Sequence, residues 1–227
     1  MNELIFIFHA LFITGCALGA LTLGKEALIS FIALLAILSN LFVTKQIMLF
    51  GFQATPTDAL TIGLVLSLNL LQEYYGKEIT KKAIGISFIL SMAYTLLSQI
   101  HLLYLPSMHD TMHHHALELL GLMPRIVCAS LFTYFIVQRI DCLLYEALKN
   151  RFKGRYLIAR NYSSLIISQL LDTILFSFLG LYGTLDAIIP VMCISYCIKL
   201  IVIAGATPFL WFSKKISRVP PYESISF

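Results

Sequence analysis

Several polar and aromatic residues in this chain have the types and spacings to hold a solute. Asn69, Gln72 and Glu73 fall within one short stretch. Ser130, Tyr134, Gln138 and Asp141 recur at intervals of four, four and three, and Ser168, Gln169, Asp172, Thr173 and Phe176 form another cluster. Tyr196 and Lys199 stand about one helical turn apart. On a helix, intervals of three and four put side chains on one face. Carboxylates, amides and a lysine offer edge hydrogen bonds, and aromatic rings offer a stacking face, the combination that a planar polar ligand needs. Catalytic constellations point elsewhere: the chain has no G-x-S-x-G, H-E-x-x-H or G-x-x-x-x-G-K-[ST] stretch. The expectation is a binding or transport protein with no cofactor and no metal, not an enzyme.

The elements that must position these residues are set by composition. Of 227 residues, 59% are hydrophobic and 12% charged, with a mean hydropathy of +0.85, whereas soluble domains carry about a quarter charged residues. Apolar runs of about 20 residues, the length that crosses a hydrocarbon core of about 30 Å, occur at Leu4–Leu23, Ala27–Val43, Ala59–Tyr75, Ala83–Leu105, Pro124–Leu144, Tyr162–Gly183 and Ala187–Phe212. The fold class expected is therefore all-α, a polytopic transmembrane bundle of about seven helices in one domain over residues 1–227. No Gly/Ser-rich, Pro-rich or like-charge linker divides it. The first run has Glu3 ahead of it and no basic leader, so it reads as a helix, not as a signal peptide. Cys16, Cys128, Cys142, Cys193 and Cys197 all lie in apolar segments, which disfavours a disulfide framework or thiolate metal site. The basic residues sit at helix ends and not on one groove-sized patch, so lipid is the expected surroundings and nucleic acid is not an expected partner.

Those basic residues alternate between loops. Lys25, then Lys77, Lys81 and Lys82, then Lys149, Arg151, Lys153, Arg155 and Arg160, then Lys214, Lys215 and Arg218 belong to one set, and the other set holds Lys45. Short cytoplasmic loops retain Lys and Arg, so the pattern places the N-terminus outside and the C-terminus in the cytoplasm, with an odd number of helices.

Arg125, Arg139 and Lys199 fall inside the spans. A charge near the bilayer centre costs about 2.5–3.5 kcal/mol on insertion scales, so it faces a cavity or a partner. Counting about 1.5 Å of rise per residue puts Asp172, Lys199, Asn69 and Tyr134 near the midplane, with Gln72, Glu73 and Gln138 toward the cytoplasmic half. Secondary transporters place substrates at that level. The blander reading is a buried Asp172–Lys199 pair that fixes helix register, with the other polar groups as interhelical glue.

Three stretches carry a resemblance to a known family: Asn69-Leu-Leu-Gln-Glu-Tyr-Tyr-Gly-Lys with Lys81, Lys82 and Ala83; Arg125 with Ala129, Ser130, Tyr134, Gln138 and Asp141; and Ser168-Gln-Leu-Leu-Asp-Thr with Phe176, continued by Tyr196-Cys-Ile-Lys199. In order and spacing they resemble the queuosine precursor transporter family, also called the vitamin uptake transporter family, over residues 27–213. The resemblance implies a six-helix core, which leaves residues 1–26 as an additional N-terminal helix and 214–227 as a cytoplasmic tail. It also implies import of 7-deazaguanines such as queuine across a bacterial inner membrane, for transfer RNA modification. The substrate-binding residues expected on this footing are Asn69, Gln72, Glu73, Ser130, Tyr134, Gln138, Asp141, Gln169, Asp172, Phe176, Tyr196 and Lys199. Asp172 with Gln169 would take the guanine-like edge, Glu73 or Asp141 a cationic aminomethyl group, and Tyr134 and Phe176 the ring faces.

Other features receive plainer readings. His109, Asp110, His113, His114, His115 and Glu118 form a polar loop without an ordered metal-ligand spacing. Residues 146–160 read as a basic cytoplasmic turn against anionic headgroups. Pro190 and Pro208 mark the ends of the last span, with a hinge as the other reading. A membrane subunit served by a separate ATPase stays open as a second function class, as does carriage of another vitamin-like solute.

Overall fold

The structure, a computed structural model, describes residues 1–151, 157–185 and 187–216. It is a helical bundle: α1 Asn2–Leu23, α2 Lys25–Phe42, α3 Asp58–Tyr75, α4 Lys77–Leu102, the short α5 His113–Leu120, α6 Met123–Arg151, α7 Leu157–Phe176 and α8 Ile188–Ile216. A two-stranded hairpin, β1 Ile47–Leu49 and β2 Phe52–Ala54, precedes α3, and a π-helical turn over Ser177–Leu181 ends α7. The long helices answer to the seven spans expected. By length and hydropathy, five segments among the described residues suffice to cross a membrane. α3 falls short because Asp58, Asn69, Gln72 and Glu73 interrupt it, and the apolar part of α7 is the shorter stretch Leu165–Leu181. The helices α6 and α8, each of 29 residues, measure about 43 Å at 1.5 Å per residue, long enough to project beyond a hydrocarbon core.

Two turns need glycine. Gly24 (φ 113°) separates α1 from α2 and Gly76 (φ 84°) separates α3 from α4, each in a backbone region that disfavours a Cβ. The Gly24 N–H returns to the Ala20 and Leu21 carbonyls and the Gly76 N–H to that of Gln72, which satisfies carbonyls left open at the helix ends. Both turns lie at the lysine-rich end of the bundle, where Ala17, Leu21, Leu28, Ile32, Leu70, Leu71 and Tyr74 pack as one buried cluster. In lipid such a cluster is held by close packing more than by expulsion of water. Gly63 permits the closest approach: a Cβ there would overlap the Ile13 side chain of α1. The opposite face of α1 leaves Leu4, Phe8, Leu11 and Phe12 exposed, a surface suited to acyl chains.

At the other end, Phe50 (φ 51°) and Gly51 (φ 81°) form the hairpin turn, both with positive φ, as a two-residue type I′ turn requires. The N-terminus of α1 secures it: Asn2 Nδ2 donates to the Met48 carbonyl at 2.9 Å and Glu3 Oε1 accepts from the Phe50 N–H at 3.1 Å. Register between α3 and α8 is marked by two side-chain hydrogen bonds, Ser195 Oγ to Asp58 Oδ2 at 2.8 Å and Tyr74 Oη with Ser213 Oγ at 3.1 Å. Ser195 lies about 10 Å along α8 from its first residue, by the rise of a helix, so α3 starts part-way into the bundle. The hairpin and the linking residues fill the level above it. Non-helical backbone at such depth survives where protein buries it or a cavity adjoins it, and Thr55 and Thr57 are 2% and 4% exposed.

The loop at 103–112 leads into α5 through Asp110, whose Oδ1 accepts from the Met112 and His113 N–H groups at 2.7 and 3.2 Å. His114 Nε2 and His115 Nδ1 lie 3.2 and 3.8 Å from the Glu118 carboxylate, on an exposed helix face. The helix α8 runs unbroken through positions 190 and 208, so neither proline ends it. Of the basic turn expected at 146–160, residues 152–156 lie outside the described residues, as do 217–227 of the tail.

Candidate functional site

A cavity of about 280 Å³ lies between α2, α3, α4, α6, α7 and α8. Each helix brings residues to it at helical spacing. From α3 come Asp58, Thr61, Leu64 and Leu68; from α4, Ser87, Phe88 and Ser91; from α6, Ser130, Thr133 and Tyr134; from α7 and its π turn, Asp172, Thr173, Phe176 and Ser177; from α8, Val191, Ser195 and Lys199. The helix α2 adds Ser39 and Asn40, and the segment after the hairpin adds Thr55 and Thr57. Nothing from α1 lines it.

Charge concentrates at one point. Lys199 Nζ lies 2.6 Å from Asp172 Oδ2 and donates to Thr173 Oγ1 at 3.1 Å. The lysine is 15% exposed and the aspartate 32%, the more open of the two. Partial burial makes this pair stronger than a surface ion pair and costly to break from one side. A second carboxylate, Asp58, is 5% exposed and accepts from Ser195 Oγ. Ser195 and Lys199 are four apart on α8, so one face of that helix serves both carboxylates.

Among the aromatic rings of the lining, that of Tyr134 meets Phe88 edge-on, with centroids 4.8 Å apart and planes at 73°, and Phe176 comes from α7, one turn after Asp172. The π turn that follows Phe176 widens the helix locally, a feature frequent at functional sites. Arg125 secures its end: Nε donates to the Leu179 carbonyl at 2.9 Å and a terminal nitrogen to that of Tyr182 at 2.6 Å. This intramembrane arginine therefore serves backbone carbonyls, not the cavity. Gly180 lies against α6, where an added Cβ would just touch that of Ala129, at 3.4 Å. Two lining hydroxyls, Ser39 Oγ and Thr133 Oγ1, are buried without a hydrogen-bond partner, and buried polar atoms of that kind are satisfied when water or a ligand is present.

Of the residues singled out from sequence, Ser130, Tyr134, Asp172, Phe176 and Lys199 meet at the cavity. Asn69, Gln72, Glu73, Gln138, Asp141, Gln169 and Tyr196 are not part of its lining. Gln72 and Gln138 are exposed, while Asn69, Glu73 and Gln169 are half-buried outside it. Asp141 accepts from Ser168 Oγ at 2.7 Å, a link between α6 and α7, and Tyr196 Oη donates to the Ile166 carbonyl at 3.2 Å. Sequence reasoning missed Asp58, Ser195 and the Ser87/Ser91 pair. The signals were present: Ser195 precedes Lys199 by four, Ser87 precedes Ser91 by four, and Thr57-Asp58 immediately precedes an apolar run in the manner of a helix start.

Comparison with known proteins agrees with this architecture. The family model described as "Putative vitamin uptake transporter" matches residues 59–212. A protein of Bacillus subtilis (strain 168) named "Probable queuosine precursor transporter" is 30% identical over 197 residues, 85% of this chain and 86% of its own length. No solved structure matches the chain significantly.

Proposed function

Since the chain belongs to the vitamin uptake transporter family and is thus an integral, multi-pass membrane transporter of a vitamin-like solute, not an enzyme, we propose that it imports queuosine precursors of the 7-deazaguanine class. The observation that carries this reading is the cavity between the helices, which a carboxylate, an ammonium group, hydroxyls and aromatic rings line together. A guanine-like edge presents a ring N–H and an exocyclic amine beside a carbonyl. Asp172 can accept the two donors in parallel, and Lys199, already within hydrogen-bond distance of that carboxylate, can turn to the ring carbonyl. Tyr134 and Phe176 offer faces to the bicycle, and Thr133 and Ser39 offer hydroxyls in need of partners. With no ligand bound, the Asp172–Lys199 pair neutralises itself, so the substrate replaces a salt bridge instead of entering a bare charge. A volume of about 280 Å³ lies near the lower end of ligand pockets, roughly 300–1,000 Å³, which suits a free base better than a nucleotide.

The proposed mechanism is alternating access around this cavity, a reading supported by its place between helices of both halves of the chain. The lysine-rich end of the bundle, with Lys25, Lys77, Lys81 and Lys82, is assigned to the cytoplasm of a bacterial cell and the hairpin end to the outside. On this reading, residues 1–227 form one transporter domain in which α1 is an addition to the six-helix core. Uptake of labelled queuine by cells lacking other uptake routes tests the proposal. Expression of the chain is expected to produce accumulation that unlabelled deazaguanines compete away and that adenine, uracil and B vitamins do not. Equal competition by unrelated vitamins would reassign the substrate.

A further inference from the structure

The charged residues that line the cavity do not balance. Among the described residues, Asp58 and Asp172 bring two carboxylates, Lys199 brings one ammonium group, and the remaining titratable group on the wall is the Tyr134 phenol. Lys199 is engaged by Asp172 at 2.6 Å. Asp58 has no ion-pair partner within 4.0 Å among the described residues; it accepts a hydrogen bond from Ser195 and sits at the positive end of α3, whose first residue it is. Lys199, one turn beyond Ser195, also attracts this carboxylate, but its ammonium group is bound directly by Asp172, so one negative charge on the wall stays without a counter-ion of its own. At 5% exposure, water cannot screen it well either.

We propose that Asp58 is the cation-selecting residue of this cavity, so that the favoured occupant is a planar aromatic solute bearing one positive charge. This rests on the substrate reading above and sharpens it: among deazaguanines, the ones favoured carry a protonated amine on the side chain. The geometry separates two tasks. Asp172 and Lys199, on α7 and α8, meet the polar edge of the ring, while Asp58, on α3 and joined through Ser195 to α8 one turn before Lys199, meets the ammonium group. Thr55 and Thr57 stand beside Asp58 on the cavity wall, and Thr57 Oγ1 donates to Thr55 Oγ1 at 3.1 Å. Their oxygens give the remaining N–H donors of a primary ammonium group places to bond. Ser39 and Thr133, buried and unpartnered, complete a lining made for a polar guest.

The test compares two labelled probes of the same bicycle, one with an aminomethyl group and one with a nitrile, and reads the ratio of their uptake. Wild-type protein is expected to favour the cationic probe. Asp58→Asn should lower that ratio roughly tenfold, the scale of one charge-assisted contact, and Asp58→Glu should restore most of it. A ratio unchanged in Asp58→Asn, or a wild-type preference for the nitrile, would overturn the proposal. A second measurement needs no variant and no deazaguanine: thermal stabilisation of the purified wild-type protein by benzamidinium against its neutral isostere benzamide. Greater stabilisation by the cation supports the charge assignment even if neither deazaguanine is carried, in which case the substrate reading alone fails. Equal stabilisation by the two removes the assignment.

Discussion

The chain opens with two helical hairpins, α1–α2 and α3–α4, that turn on the same tripeptide, Gly24-Lys25-Glu26 and Gly76-Lys77-Glu78. In each the glycine has a positive φ, and the first helix carries an acid in its first turn, Glu3 in α1 and Asp58 in α3. Beyond these shared features they diverge. Glu3 stands at the surface and grips the turn of the β-hairpin, whereas Asp58 is buried against a cavity. The helix α1 is apolar on all sides and takes no part in the lining of the cavity; α3 is interrupted by polar groups and forms a wall of the site. A turn sequence thus sets how two helices pair, but the work a helix does depends on what delivers its first residue. The chain reaches α1 from the surface, and it reaches α3 from a hairpin that ends inside the bundle.

That contrast can be tested in order of expected effect. The largest loss should come from the wall side. Lys199→Met strands the Asp172 carboxylate; removal of one partner from a fully buried pair costs about 3–5 kcal/mol and from this part-buried pair less, so membrane abundance should fall and queuine uptake should be lost. The double variant Asp172→Asn with Lys199→Met should recover abundance while uptake stays absent, measured by blotting and labelled transport in parallel. Next is the seam between the hairpins. Gly63→Val drives a side chain into Ile13 and should lower stability by about 1–3 kcal/mol, the usual cost of overpacking. Gly15→Val, on the α1 face where no atom lies within 4 Å of an added Cβ, should leave the melting temperature unchanged. Equal effects would erase the distinction between packed and lipid-facing glycines. The two turns should then respond alike: Gly24→Ala and Gly76→Ala each force a Cβ into a positive-φ position, at about 1–3 kcal/mol, and a large disparity in thermal melting would show that the turns are not equivalent. The smallest effect belongs to Glu3→Gln, which keeps a side-chain oxygen for the Phe50 N–H. Uptake should equal that of the wild type, against the marked change expected for the matching substitution Asp58→Asn.

The helices were legible because lipid imposes a length and an apolar surface that a sequence displays openly, and the spans at 4–23 and 27–43 lie within a residue or two of α1 and α2. The hairpin was not legible. Ile47–Ala54 is apolar without strict alternation, and Phe50-Gly51 is an unusual pair for a turn that wants Asn-Gly or Asp-Gly. Missing it had a consequence for the site. The apolar run begins at Ala59, which leaves Asp58 just outside it and outside the depth count, whereas the hairpin carries it inward. The choice of Asp172 and Lys199 rested on the cost of burying charge, a signal that survives without coordinates. Gln138, Asp141 and Tyr196 were chosen by periodicity, which identifies a shared face but not whether that face meets a cavity or a neighbouring helix. Asp141 meets a helix, through Ser168.

The guanidinium of Arg125, bound to the carbonyls of Leu179 and Tyr182, ties the start of one long rod to the end of another. With Ser168 and Asp141 fastening the same two rods further along, α6 and α7 would shift as a single rigid plate. On the alternating access proposed above, relative motion falls on the junctions of that plate with α2, α4 and α8 and on the junction of α3 with α8. At the last of these, Ser195 with Asp58 and Tyr74 with Ser213 are the side-chain hydrogen bonds that such a motion would have to break.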